Sequence, residues 1–149
     1  MAFARADAYA ALEAGKEYLG DSFTIGETES DTMSSGEALE CEKFAFYFIT
    51  DSLGKQFDKN NLAETIREIA KLMAAYKAHV IKDQSLGADE SYTQGLYRRG
   101  TELIKKLQSG AMGLLQPDGR WDPDYPQPRT ARGTNQWRVI TPGGIGKTL

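Results

Sequence analysis

The sequence predicts an all-α protein: a small helical bundle of three to four helices followed by an extended, proline-rich C-terminal arm. Three observations carry that prediction. Leu62, Ile66, Ile69, Met73, Tyr76 and Val80 recur at alternating steps of four and three residues, the spacing of one helical face. Ser34 followed by Glu37, and Asn61 followed by Glu64, are capping boxes set just ahead of apolar runs. All five prolines fall at position 117 or later, so none interrupts helix formation before that point.

Taken in order, residues 3–19 are alanine-rich and favour a helix that Gly20 stops. The polar stretch DSFTIGETESDTMSS reads as a loop. From the Ser34 cap, Leu39, Cys41, Phe44, Ala45, Phe48, Ile49 and Leu53 predict a helix over about 36–54. Its FAFYF run is apolar nearly all round, which points to burial on more than one side. The Asn61 cap opens the next helix, whose stripe leaves His79 off the apolar face and predicts it solvated. Asp89 or Ser91 starts a further helix, with Leu96, Tyr97, Gly100, Leu103, Ile104 and Leu107 on one side and Ser109-Gly110 as its stop. Gly100 within that face costs about 1 kcal/mol relative to alanine, and close approach of a neighbouring helix is the reason to keep it. These elements divide the chain into a bundle over 1–115 and an arm over 116–149.

Composition narrows the function. The chain has 149 residues, enough for one modest core, and no run of 18 apolar residues that would cross a membrane. MAFARADAYAALEAG lacks an apolar signal core and carries Asp7 and Glu13, so no secretory signal is expected. A single cysteine, Cys41, sits in an apolar helical pattern and reads as a core residue in a reducing compartment. One cysteine and one histidine make no zinc constellation. Charge is unevenly spread: residues 1–115 carry 13 Lys/Arg against 18 Asp/Glu, while residues 116–149 carry 5 against 3.

Catalytic and cofactor motifs are weak throughout. The terminal TPGGIGKTL resembles the end of a phosphate-binding loop, which needs glycine five residues ahead of Gly146 and a helix afterwards. Thr141 occupies the first position and Leu149 follows Thr148, so a docking tail is the better reading. Asp118, Asp122 and Asp124 in PDGRWDPDYP do not follow the calcium-loop spacing, and Pro-Asp-Gly is a turn signal in its own right. No nucleophile–base arrangement presents itself, because His79 and Cys41 lie on different helices. The expectation is therefore no catalytic residue, no metal and no cofactor.

Two surfaces suggest binding. Arg98, Arg99, Lys105 and Lys106 form pairs seven apart on one helical side with Glu102 between them. Such a stripe is ordinarily a solvated face, and otherwise meets DNA or an acidic partner. The arm holds both tryptophans, Trp121 and Trp137, with Tyr125 and the segment Gln136-Trp137-Arg138-Val139-Ile140. Linkers are usually poor in aromatic and β-branched residues, whereas Trp and Arg concentrate at binding hot spots. Either Trp137 folds back on the bundle, or QWRVI adds as a strand or anchor to another chain with the prolines as a spacer. The second arrangement makes Trp121, Tyr125, Trp137, Arg138, Val139 and Ile140 the partner-binding residues.

The stretches ALECEKFAFYFITDSL, ETIREIAKLMAAYKAHVI and YTQGLYRRGTELIKKLQSGAMGLL, ending in Ser-Gly, an apolar run and Pro-Asp-Gly, give a distinctive order over roughly residues 34–115. With Leu103/Ile104, Leu107 and Gly110 closing the last helix, that order resembles the head–tail connector (adaptor, neck) proteins of tailed bacteriophages. The resemblance implies a virion structural protein at the head–tail junction, made in the host cytoplasm. It implies a homo-oligomeric ring around the DNA channel, joined to a portal protein and to a neck or tail protein. Genomic DNA passes without sequence-specific binding, and no membrane is involved. The alternative function is a small DNA-binding or nucleotide-binding phage protein that uses the basic helix face or the GGIGKT tail.

Overall fold

A computed structural model of the chain describes residues 9–20, 22–59, 61–82 and 90–128. Among these the architecture is helical: α1 (Ala10–Ala14), a 3-10 turn (Lys16–Tyr18), α2 (Ser35–Leu53), α3 (Glu64–Lys82) and α4 (Glu90–Ser109). The all-α bundle read from the stripe and the caps is the fold of the described residues. No helix among them is long and apolar enough to cross a membrane.

Of the helix expected over 3–19, residues 3–8 lie outside the described residues, and within the described part α1 is short. It ends at Gly15, where an added Cβ would lie 3.3 Å from the backbone oxygen of Lys71 on α3. Close packing against α3 forces the chain into a 3-10 turn there, and Gly20 closes the segment with a positive φ of 101°. Helical propensity loses to tertiary contact at this point. The loop that follows is the predicted polar one, pinned by Phe23 and Met33 in the core and by Met33 N–H donating to Thr24 O at 3.1 Å.

Helix α2 starts as its sequence requires. The Glu37 backbone N–H donates to Ser34 Oγ at 3.2 Å, and the Ser34 N–H donates to Glu37 Oε1 at 3.1 Å. Glu37 also receives Lys82 Nζ at 3.0 Å, so the cap of α2 is tied to the end of α3. Those contacts hold the Glu37 carboxyl below the usual carboxylate range, led by the Ser34 backbone hydrogen bond and the Lys82 side chain. Gly54, at φ 64°, terminates the helix in the left-handed conformation.

Helix α3 is the centre of the bundle, covered by α1 and the 3-10 turn on one side and by α2 and α4 on others. Its ladder starts with Arg67 N–H donating to Ala63 O at 2.9 Å, so the cap position is Ala63 rather than Asn61. The stripe Ile66, Ile69 and Met73 is buried as its spacing predicts, but Ala70, Ala74, Ala75 and Ala78 widen the buried arc. His79 falls in that wider arc. It is 4 % exposed, which corrects the expectation of a solvated histidine. Alanines count little in an apolar stripe, yet they let three neighbours approach a central helix. Conversely Val80, the last residue of the stripe, is 45 % exposed because the neighbouring helices no longer cover it.

Helix α4 runs antiparallel to α3 and parallel to α2. Leu96, Gly100, Ile104 and Leu107 face inward, and a Cβ on Gly100 would sit 2.2 Å from Met73 Cε. The glycine is there for close approach, as its position in the stripe suggests. The C-terminal ends of α2 and α4 meet where Gln108 Nε2 donates to Ser52 O at 2.6 Å. Cys41 is fully buried, and burial pushes its thiol up to about 12, well away from a reactive thiolate.

Candidate functional site

Past residue 115 the chain continues on the body as far as Pro128, as a short hairpin laid across the shared end of α2 and α4. Leu114 N–H donates to Tyr125 O at 2.8 Å, Asp122 N–H to Leu114 O at 2.8 Å, and Gln116 N–H to Arg120 O at 2.8 Å. Pro117-Asp118-Gly119 turns the hairpin, with Gly119 at φ 85° and Arg120 N–H donating to Asp118 Oδ1 at 2.9 Å. Successive side chains therefore alternate in and out. Leu114 and Asp122 point inward and are completely buried, while Leu115 and Trp121, paired across the hairpin, face out at 47 % and 39 % exposure.

Asp122 is the anchor of this segment. Lys55 Nζ donates to its Oδ2 at 2.6 Å and to Asp124 Oδ2 at 3.0 Å. Gln116 Nε2 adds a bond to Oδ2 at 2.8 Å, and the Asp124 N–H one to Oδ1 at 2.9 Å. Burial by itself would raise the Asp122 carboxyl, but the Lys55 ammonium and these donors outweigh it and hold the group below its ordinary value. Burial likewise opposes the charge on Lys55, and the two carboxylates more than compensate, so its ammonium titrates higher than usual. The Lys55 charge also lies 5.6 Å from the Phe57 ring centre and 5.8 Å from that of Tyr125.

The residues predicted to bind partners are thus divided. Trp121 presents an exposed face beside Leu115. Tyr125 is committed to the body: its hydroxyl reaches Leu53 O at 3.4 Å, and burial raises its phenol above the ordinary value. Trp137, Arg138, Val139, Ile140 and the GGIGKT string lie outside the described residues. Arg98, Arg99, Lys105 and Lys106 are all exposed along α4. Arg99 lies 5.2 Å over the Tyr18 ring, and with Lys106 it borders a depression that also holds Glu68 and Glu102. Tyr18 donates to Glu68 at 2.5 Å, and burial together with that acid pushes its phenol up to about 12. Arg99 and Lys106 thus share that depression with the two acids, whereas Arg98 and Lys105 do not line it.

Three further features were not read from the sequence. The first is Glu42, buried on α2, whose carboxylate accepts the N–H groups of Ala11 at 3.0 Å and Leu12 at 3.3 Å. Tyr9 offers no side-chain cap to α1, so Glu42 satisfies those amides from a distance of 31 residues in sequence. Burial raises the Glu42 carboxyl, and the partly offsetting groups are Lys59 and the two amides. A cavity of about 360 Å³ opens beside it, bordered by Phe46, Lys59, Leu62 and Arg67. The second is the His79 junction: Nε2 lies 2.9 Å from Tyr18 O, which also accepts Tyr92 Oη at 3.0 Å. A carbonyl only accepts, so Nε2 carries the proton, and Nδ1 is buried with no hydrogen-bond partner among the described residues.

The third is a half-buried cluster of aromatic rings contributed by α2, α3 and α4, packed against the core. Phe44 and Tyr76 have ring centres 6.0 Å apart, Tyr76 and Tyr97 5.0 Å, and Phe48 and Tyr97 5.9 Å. Tyr47 on α2 is 67 % exposed. Among the described residues, no three of His, Cys, Asp and Glu gather as a metal ion would require. No family model matches the chain, and neither a curated protein nor a solved structure shows significant similarity to it.

Proposed function

We propose that the chain is a head–tail connector subunit, a virion structural protein that works by binding and not by catalysis. In this reading copies of the bundle pack side by side as a closed ring around the DNA channel, between a portal protein and a neck or tail protein. The observation that supports it most is the way the body ends. A latched hairpin carries the chain to Pro128 at one end of the bundle, with Trp121 and Leu115 outward. Beyond it continue 21 residues with four Lys/Arg and no Asp/Glu, including Trp137, Arg138, Val139 and Ile140. A firmly seated base followed by an aromatic, basic arm suits a protein that joins one assembly to another, where the arm gains affinity by ordering on a partner surface.

The test is a paired assembly experiment. Wild-type chain and the Trp137→Ala/Ile140→Ala double variant are each mixed with the portal ring and sedimented. The reading expects wild type to co-sediment, and the double variant to stay behind with an unchanged far-ultraviolet helical spectrum. Equal co-sedimentation of both removes the arm from the mechanism, and failure of the wild type to bind removes the connector.

A further inference from the structure

We infer that the cavity between α1, α2 and the start of α3 is a binding site for a small organic carboxylate with an aromatic or short apolar body. This goes beyond the connector reading and does not rest on it. The cavity measures about 360 Å³, whereas about 150 Å³ of apolar space is enough to take up benzene. It has the size and make-up of small-molecule sites, apolar walls with a few converging polar groups. Its inner wall is buried and comprises Ala11, Glu42, Leu62 and Ala70. Its outer wall is exposed and comprises Ala10 and Ala14, one turn apart on α1, with Lys59 and Arg67. A ligand can therefore enter from solvent and reach the buried carboxyl.

Charge selects the ligand. Among the described residues that line the cavity, two cations, Lys59 and Arg67, face one acid, Glu42. With Glu42 ionised they leave a surplus of one positive charge, and with Glu42 protonated a surplus of two. Either state favours an anion. The Glu42 carboxylate already takes the Ala11 and Leu12 amides, so an incoming anion meets the two side-chain cations and not the end of α1. Arg67 makes no ion pair or side-chain hydrogen bond among the described residues, which leaves its guanidinium free for a ligand. A planar carboxylate matches that fork, and its single charge matches the surplus. A phosphate monoester brings close to two charges at neutral pH, and Glu42 opposes the second.

The rest of the lining accepts an apolar body. Phe46, Leu62 and the alanine methyls of α1 and α3 offer surface without hydrogen-bonding groups. Lys59 is seated before any ligand arrives: its Nζ lies 3.8 Å from Glu42 Oε2 and 4.4 Å from the centre of the Phe46 ring. Little side-chain freedom is then lost when it meets an anion. The depression beside Arg99 differs on this point. There Arg99 and Lys106 are balanced by Glu68 and Glu102 among the described residues, so no surplus charge selects a ligand.

The experiment follows the backbone amide resonances of the full, isotope-labelled chain during titration with three probes: benzoate, benzyl alcohol as the ring without the charge, and acetate as the charge without the ring. The expected result is a saturable shift at Ala11, Ala14 and Phe46 with benzoate, at a dissociation constant of about 1 mM or below, within reach of so small a ligand. Both controls should bind at least about tenfold more weakly. Arg67→Ala should weaken benzoate about tenfold and Arg67→Lys less, while Ala14→Leu, a change that an exposed helix position tolerates, should block it. Both positions are exposed, so the helical spectrum of each variant should match wild type and the loss should report the site. Equal binding of benzoate and benzyl alcohol overturns the carboxylate as ligand. Equal binding of benzoate by wild type, Arg67→Ala and Ala14→Leu overturns the cavity as the site, and the absence of any saturable shift overturns both. None of these outcomes bears on co-sedimentation with the portal ring, so the two proposals fail separately.

Discussion

Replacing Lys55 by methionine tests the account of the hairpin directly. The substitution keeps the length of the stem and the contact with Phe57 and Tyr125 but removes the ammonium that holds Asp122 at 2.6 Å. Asp122 is fully buried and keeps only the Gln116 amide and the Asp124 N–H as donors, with a second carboxylate close by. Breaking a fully buried pair by removing one partner costs about 3–5 kcal/mol. Lys55 is partly exposed, so water relieves some of that penalty and the expected loss is about 2–3 kcal/mol. For a chain of this size that is a fall in Tm of about 5–10 °C. Sign follows from the two titrations. The depressed Asp122 carboxyl contributes stability above about pH 4 that disappears as pH falls through its folded value. The raised Lys55 ammonium contributes below about pH 10 and is lost as pH rises through its folded value. Wild type and Lys55→Met should therefore differ most between these limits and converge at acid pH. Thermal melts and hydrogen exchange at the Leu114 and Asp122 amides read the effect. A variant within about 0.5 kcal/mol of wild type, the scatter of neutral surface changes, refutes the reasoning.

Three other expectations follow from neighbouring contacts. Glu42→Ala strips the acceptor from the Ala11 and Leu12 amides and should cost about 1–3 kcal/mol at all pH values, seen as lost exchange protection at those residues. Glu42→Gln keeps one acceptor and removes the raised titration, so it should flatten the decline in stability that wild type shows as pH rises from about 4 through the folded value. Gly113→Ala places a Cβ 2.4 Å from Pro126 O, a backbone atom that cannot swing aside, and should destabilise the hairpin by about 1–3 kcal/mol in a denaturant titration; Gly100→Ala meets only the mobile end of Met73 and should cost less. Cys41 should react with a thiol reagent only as fast as the protein opens, and a rapid stoichiometric reaction in native buffer contradicts its place in the core.

Periodicity and capping made most of the bundle legible. The Ser34–Glu37 box is present atom for atom, Gly100 sits at a helix crossing, and Pro-Asp-Gly turns where it should. What escaped was set by long-range contact. The break at Gly15 depends on Lys71, and the burial of His79 depends on alanines whose small size is a packing device more than an apolar signal. Glu42 was the one readable clue: an acid at an inward position, in step with Ala38, Ala45 and Ile49, requires a partner. The Lys55–Asp122 latch joins residues 67 apart and leaves no local trace beyond the in–out alternation of the hairpin. The basic stripe on α4 was visible as a pattern, while the seat of Arg99 over the Tyr18 ring was not.

The central claim, that this chain is a connector subunit, is tested most directly by a mass-spectrometric inventory of purified particles from its source, counting the chain against the portal protein. The account predicts a ratio close to one ring of copies per portal ring. Absence of the chain from intact particles contradicts it and returns the basic face of α4 and the GGIGKT tail to consideration as binding sites in a non-structural protein.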